Sequence, residues 1–280
     1  MQAPAKRPER IAMRAVRHIA LNVFRESVRD RVPYNLVIFA VLLIGASYLL
    51  GQLTAGQDVK IIKDLGLAAT SVFGLFIAIF IGIGLVSKEV ERRSIYALLA
   101  KPISRPQLVL GKYAGLVLTL ALNVAVMTIA LYLVLAVMNW NAAPEMRASW
   151  EAPAVDPRLL KALLLIFVEL MMITAIALFF STFSSPILSA ALTFGLYIAG
   201  HFNADLKNFE NVVDSQPAAW LARGLYHVLP DLSAFDVKMQ VVHGLPVPGG
   251  QLAFTVGYGL VYIAALLLAA TVIFSRRDFK

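Results

Sequence analysis

Six apolar stretches constrain this chain more than any other feature. They fall at about 34–54, 65–86, 108–138, 159–183, 187–200 and 252–274. A helix rises 1.5 Å per residue, so about 20 apolar residues cross ~30 Å of hydrocarbon. The pattern predicts an all-α integral membrane protein with six transmembrane helices. The third stretch exceeds what a bilayer needs, which predicts tilt or projection. The fifth is short and should begin within the Ser184-Ser185-Pro186 turn or bend. Composition agrees: 59% of residues are hydrophobic and 15% charged, against about 25% charged in soluble domains. The mean hydropathy is +0.75. With no cysteine, disulfides, thiol nucleophiles and thiolate metal sites are excluded.

Charge sets the expected orientation. The leader 1–33, the segment 87–112 and the tail after 274 hold 17 Lys or Arg and 6 acids. The opposite loops hold the other 8 basic residues and 10 acids, and one acid, Glu169, lies within a span. Cytoplasmic flanks are rich in Lys and Arg, so both termini are expected in the cytoplasm of a multi-pass plasma or inner-membrane protein. No signal peptide is read in the leader. It reads instead as a basic amphipathic helix. Ala12, Val16, Ile19, Val23 and Val28 fall near one stripe, and Arg10, Arg14, Arg17, Arg25 and Arg29 mostly lie away from it. Such a helix lies in the headgroup plane beside anionic lipid, or packs on a neighbouring helix. Pro33 is expected to separate it from the first span.

Catalytic signatures are missing from the sequence. The Gly111-Lys112 pair would need glycine at 106 and Ser or Thr at 113 to build a phosphate loop, and the chain has Pro106 and Tyr113. Neither H-E-x-x-H nor G-x-S-x-G occurs. His18, His201, His227 and His243 share no metal-ligand spacing. Met138, Met146, Met171, Met172 and Met239 are scattered and read as packing residues. No cofactor or metal is therefore expected on this chain, and no nucleic-acid partner.

The segment 87–112 carries the most information. Lys88, Glu89, Glu91, Arg92 and Arg93 form a charged turn, and Ile95, Leu98 and Leu99 form an apolar face with Tyr96 beside it. Pro102 and Pro106 then re-aim the chain. A short helix of this kind, charged at one end and apolar on one side, suits helix-in-groove packing against a protein partner. The segment resembles the cytoplasmic loop of ABC-2 type transporter permeases. The resemblance rests on Glu89-Val90-Glu91, then Lys101-Pro102-Ile103-Ser104-Arg105, then Gly111-Lys112. The leader stretch ALNVFRESVRDRV and the stretch at 229–247 resemble further parts of that family. Arg93-Ser94 replaces the family's usual Gly-Thr, and in this the chain resembles a branch of permeases linked to copper-enzyme maturation.

The resemblance implies a permease subunit, not itself an enzyme, that pairs with a second copy or a paralogue. It also implies a separate ATPase subunit that brings ATP and Mg, and it favours export. Residues 1–33 would be the cytoplasmic connecting helix and 34–280 the six-span domain, with a coupling loop at 87–107 and an exterior loop at 201–251. Glu89, Glu91, Arg92 and Arg93 would be coupling contacts, and Ile95, Tyr96, Leu98 and Leu99 would pack into the ATPase. Short re-entrant helices would precede the last span, where Trp220, Leu221, Gly224, Leu225, Val228 and Leu229 make an apolar face too short to cross.

Within the spans, Glu169 is the costly residue, since a charge near the bilayer centre is unfavourable by ~3 kcal/mol or more. It lies ten residues into its span, near mid-depth, and Asn123 lies near the middle of the third span. A Glu169–Asn123 hydrogen bond would satisfy both groups, either on a substrate path or as an interhelical clamp. Gly74, Ala78 and Gly82, and again Gly111 and Gly115, predict close helix packing with partners unspecified. The competing reading is a membrane enzyme or assembly factor that uses Glu169 and the exterior-loop histidines.

Overall fold

The computed structural model describes residues 8–53, 57–91, 104–202 and 229–276, with side chains over 13–53, 57–84, 104–202 and 229–276. The elements are α1 (Pro8–Val28), α2 (Arg31–Gln52), α3 (Asp58–Glu91), α4 (Arg105–Asn141), α5 (Pro144–Ser149), α6 (Leu159–Ser181) and α7 (Pro186–His201). A 3-10 turn (Ser233–Phe235), α8 (Lys238–Val242) and α9 (Gly249–Arg276) complete them. Among the described residues there is no strand, and the chain is an all-α membrane protein. Among the described residues, five helices, α2, α3, α4, α6 and α9, are long and apolar enough to cross a bilayer. The expected fifth span is α7. Its 16 residues rise only about 24 Å, so it is the short one, as its sequence implied.

Helix boundaries follow local chemistry. The break between α1 and α2 falls at Arg29 and Asp30 and not at Pro33, which was expected to make it. Asp30 is the N-cap of α2 and its Oδ1 accepts from Val32 N at 3.3 Å. Pro33 sits in the first turn, where a missing N–H costs nothing. Ser104 N-caps α4, and its backbone N–H donates to Gln107 Oε1 at 3.1 Å, half of a capping box. Ser185 caps α7, accepting from Leu188 N, with Pro186 at the first helical position.

The bundle is built around α3 and α6, each 72% buried over its apolar window, against 22–28% for α2, α4 and α9. Their contact runs along the small-residue stripe of α3. A Cβ on Gly82 would lie 2.6 Å from Ala177 Cβ, and one on Gly74 would collide with Leu170. Gly111 and Gly115 have a different partner. They seat α1: a Cβ on Gly111 would lie 2.8 Å from Ile19 Cβ, and one on Gly115 would lie 2.6 Å from both Ala20 O and Val23 Cβ. The apolar stripe of the leader, with Ala20 and Val23 buried, thus packs on the first turns of α4. Arg14, Arg17, Arg25 and Arg29 are exposed on its other face. The outer helices present large apolar side chains, such as Phe39 on α2, Leu133 on α4 and Phe254, Val261 and Leu268 on α9. Such a surface needs hydrocarbon or another apolar partner around it.

Candidate functional site

The chain between α7 and α9 folds back into the bundle. Leu232 N donates to Gly200 O at 3.1 Å, which fastens the segment to the end of α7. Leu232, Phe235, Val237, Val241, Val242 and Val247 are then buried in the common core. Polar turns shape the path. Ser233 Oγ donates to Asp231 Oδ1 at 2.6 Å, and Asp231 N donates to Tyr258 Oη of α9 at 2.9 Å. Asp236 Oδ1 accepts from Lys238 N at 3.2 Å at the start of α8. The short helix ends in a Schellman motif, in which Leu245 N donates to Gln240 O at 2.8 Å and Gly244 N to Val241 O at 3.1 Å. Gly244 holds φ +69° there, a conformation glycine adopts without strain. Buried non-helical backbone must find its hydrogen-bond partners within the protein, and α3, α6 and α9 pack around this segment.

This return segment closes over a polar cluster. Glu169 on α6 is 5% exposed, and its Oε1 lies 3.5 Å from His201 Nε2 at the end of α7. His201 Nδ1 is 3.2 Å from Tyr197 O, and the Tyr197 and His201 rings lie 4.5 Å apart. With Nδ1 at that carbonyl, Nε2 is the ring nitrogen that faces the carboxyl. Lys238 brings a positive charge to the same region. Its Nζ donates to Ser71 Oγ of α3 at 3.3 Å and lies 3.7 Å from Asp236 Oδ2. Four separate elements thus meet around one buried carboxyl.

Asn123 is not its partner. The expected Glu169–Asn123 hydrogen bond is absent, and Asn123 Nδ2 is buried with no partner among the described residues. The reason is rotational. Both residues have the right depth, but packing aims Glu169 at α7, while Asn123 flanks the buried stripe of α4 formed by Leu116, Leu120, Val124 and Met127. The expectation missed His201 because it was assigned to a loop. Its position as the last residue of a short span could have signalled otherwise.

A second cluster locks the return segment at the end of the bundle where α3 and α6 begin. Glu151 accepts from Lys60 Nζ at 2.5 Å and pairs with His243 Nδ1 at 3.2 Å. These two hydrogen bonds, Lys60 foremost, hold the Glu151 carboxyl below the usual carboxylate range. Arg158 donates to Gly244 O, and Lys161 Nζ donates to Val247 O at 2.9 Å. Lys63, fully buried, donates to Pro153 O at 2.8 Å. Between them lies a cavity of about 250 Å³, lined in part by Lys60, Lys63, Trp150 and Glu151.

At the opposite end, Arg105 performs a task the sequence did not announce. One guanidinium nitrogen donates to Phe274 O at 2.6 Å and Ser275 O at 3.1 Å, and its Cζ lies 5.9 Å from the Phe274 ring centroid. It satisfies carbonyls left open at the C-terminus of α9, where positive charge is also favoured by the helix dipole. The Arg of the Lys-Pro-Ile-Ser-Arg element therefore joins the start of α4 to the end of the last helix.

Of the expected coupling residues, Glu89 and Glu91 belong to the last turns of α3, with only their backbone described. Arg92, Arg93, Ile95, Tyr96, Leu98 and Leu99 lie outside the described residues, as do His227 and most of the apolar face at 220–229.

Among the described residues, five helices long enough to span, a shorter sixth and a segment returned into the core make an all-α multi-pass membrane protein. The family model described as ABC-2 family transporter protein matches residues 17–279, and the chain belongs to that family. The match covers the second half of the leader, every described span and the return segment. A permease of this family is a transport subunit working with an ABC ATPase. No curated protein matches the sequence.

Proposed function

We propose that this chain is the membrane-spanning subunit of an exporter, driven by a separate ATPase subunit that docks on the loop at 87–107. The observation that carries the reading is the shape of α3 within a chain of this family. Its 34 residues extend about 51 Å, well beyond ~30 Å of hydrocarbon. Its apolar stretch ends at Val86 and Lys88, Glu89 and Glu91 follow at once, so its last turns project towards the leader side and lead straight into the charged loop. A rigid rod through the bundle core is suited to pass a push from that loop to α6.

In this reading Glu89, Glu91, Arg92 and Arg93 make polar contacts with the ATPase, and Ile95, Tyr96, Leu98 and Leu99 fill its groove. ATP and Mg reside on the partner, and this chain binds no cofactor. The leader 1–33 is the connecting helix at the cytoplasmic face, 34–280 is the transmembrane domain, and both termini are cytoplasmic in the cell membrane. A second copy, or a paralogue, completes the pathway, and Glu169 lies beside it with the Asn123 amide available to a passing polar group. Arg93-Ser94 in place of Gly-Thr supports the copper-linked branch of the family.

The test is capture of the ATPase subunit from native membranes at matched expression. Glu89→Lys/Glu91→Lys places like charges against a basic rim, where repulsion costs several kcal/mol. Leu98→Ser/Leu99→Ser removes side chains worth about 1.5–3 kcal/mol each when buried. Both variants should insert yet lose the ATPase. Full binding and coupled activity in both would overturn the docking assignment.

A further inference from the structure

Where α1 turns into α2, three arginines surround one open space. A cavity of about 580 Å³ is lined by Asn22, Arg25, Glu26, Arg29, Asp30 and Arg31. None of the three guanidiniums is in an ion pair among the described residues, although two carboxylates line the same space. Asp30 is already engaged in capping α2. A second cavity of about 200 Å³ adjoins the first and shares Glu26 and Asp30 with it. Its other walls are mainly apolar, formed by Val32 and Pro33 of α2 and Phe80 and Ile81 of α3. Phe80 is 52% exposed there, and Val32 and Tyr34 are exposed beside it.

The two cavities together have the outline of one amphipathic molecule. Guanidinium groups are planar, permanently charged and suited to phosphate oxygens. The apolar groove next to them lies between two spanning helices and opens to their lipid-facing surfaces. Three arginines outnumber the two carboxylates in the lining, and this excess of positive charge favours a headgroup of net negative charge over a zwitterionic one. We infer that the α1–α2 elbow is a binding site for an anionic phospholipid. The phosphate is held by Arg25, Arg29 and Arg31, and an acyl chain lies against Val32 and Phe80. The lipid would pin the leader helix at the point where it meets the bundle. Its placement in the cytoplasmic leaflet rests on the orientation proposed above; the site itself does not.

The experiment uses the purified full chain in zwitterionic nanodiscs, without any ATPase, titrated with short-chain phosphatidylglycerol and read by native mass spectrometry and melting temperature. The wild type and Arg14→Gln/Arg17→Gln, whose arginines are exposed on the same helix outside the pocket, should bind equally. Arg25→Gln/Arg29→Gln should bind about tenfold or more weakly, since each basic residue near an anionic surface contributes roughly a factor of five. Phosphatidylcholine, inorganic phosphate and glycerol phosphate should bind far more weakly than phosphatidylglycerol. Phe80→Ser, which changes no charge, should weaken the lipid and leave glycerol phosphate unaffected. It keeps the test open if the arginine variant misfolds. Equal loss in both double variants would reduce the site to bulk charge and overturn it. Glycerol phosphate binding as tightly as the lipid would make it a soluble-anion site instead. An arginine variant that keeps full lipid binding would show that the guanidiniums do not hold the phosphate, and the lipid assignment would fall.

Discussion

A single methyl group at Gly115 should prise the leader helix from the bundle. Gly115 lies on α4 where α1 crosses it, and an added Cβ would lie 2.6 Å from Ala20 O and 2.6 Å from Val23 Cβ. Ordinary contact begins near 3.4 Å, so α1 must retreat locally by about 0.8 Å. The carbonyl of Ala20 belongs to a helix backbone and cannot rotate away. Overpacking of this kind costs typically about 1–3 kcal/mol. Alanine's gain in helix propensity over glycine acts on α4 whether α1 is docked or lifted, so the loss in the docking of α1 is about 1–3 kcal/mol. Since 1.4 kcal/mol is about tenfold in an equilibrium, the fraction of molecules with α1 lifted should rise about tenfold. The chain has no cysteine, so Ser27→Cys supplies a single thiol at a site that is 6% exposed on the same helix. Its labelling rate reports local opening and should rise about tenfold in Gly115→Ala. Gly45→Ala on α2, where nothing lies within 4 Å, is the control and should leave labelling unchanged. If Gly115→Ala labels no faster than Gly45→Ala, the seating of α1 on α4 is wrong.

Two further predictions concern the polar clusters. A double-mutant cycle between Glu169→Ala and His201→Ala should return a coupling of about 1 kcal/mol in melting experiments, the size of an interhelical polar contact. The cycle between Glu169→Ala and Asn123→Ala should return none, and the reverse ranking would reject the observed pairing. Glu169→Gln should assemble normally but alter transport if the carboxyl borders the path. The Glu151 lock should respond to acid. Its carboxyl is held below the ordinary value of 4.5 by Lys60 and His243, so its contribution is present above about 4.5 and lost as pH falls through the lower folded-state value. The melting-temperature gap between wild type and Glu151→Gln should therefore be full at pH 7 and shrink below pH 4. A gap that stays constant to pH 3 would show that the ionised Glu151 is not what fastens the return segment.

Much of this architecture is determined locally. Apolar length predicts spans because each backbone group in hydrocarbon must be satisfied within its own helix. That rule makes α2, α3, α4, α6 and α9 readable from hydropathy alone. The brevity of α7 follows from the same count, and the caps at Ser104 and Ser185 from hydrogen bonds to groups three residues away. Gly74, Gly82, Gly111 and Gly115 announced close contacts by their spacing. The partners could not be read, because a glycine stripe specifies a distance of approach and not the helix that fills it. Only packing assigned α6 to the first pair and α1 to the second. Depth along the chain placed Glu169 and Asn123 at the same level, but which way a side chain faces depends on helix rotation, and that is set by all the neighbours at once. Hence the carboxyl meets His201, at the end of the short 16-residue helix α7. The return segment was harder still to read. Its buried residues carry no helical or strand period, and its backbone is held by Gly200, Tyr258, Arg158 and Lys161, which lie far from it in sequence. Such non-local hydrogen bonds exist only once the bundle has closed, so the tertiary structure alone decided where the polar centre of this protein lies.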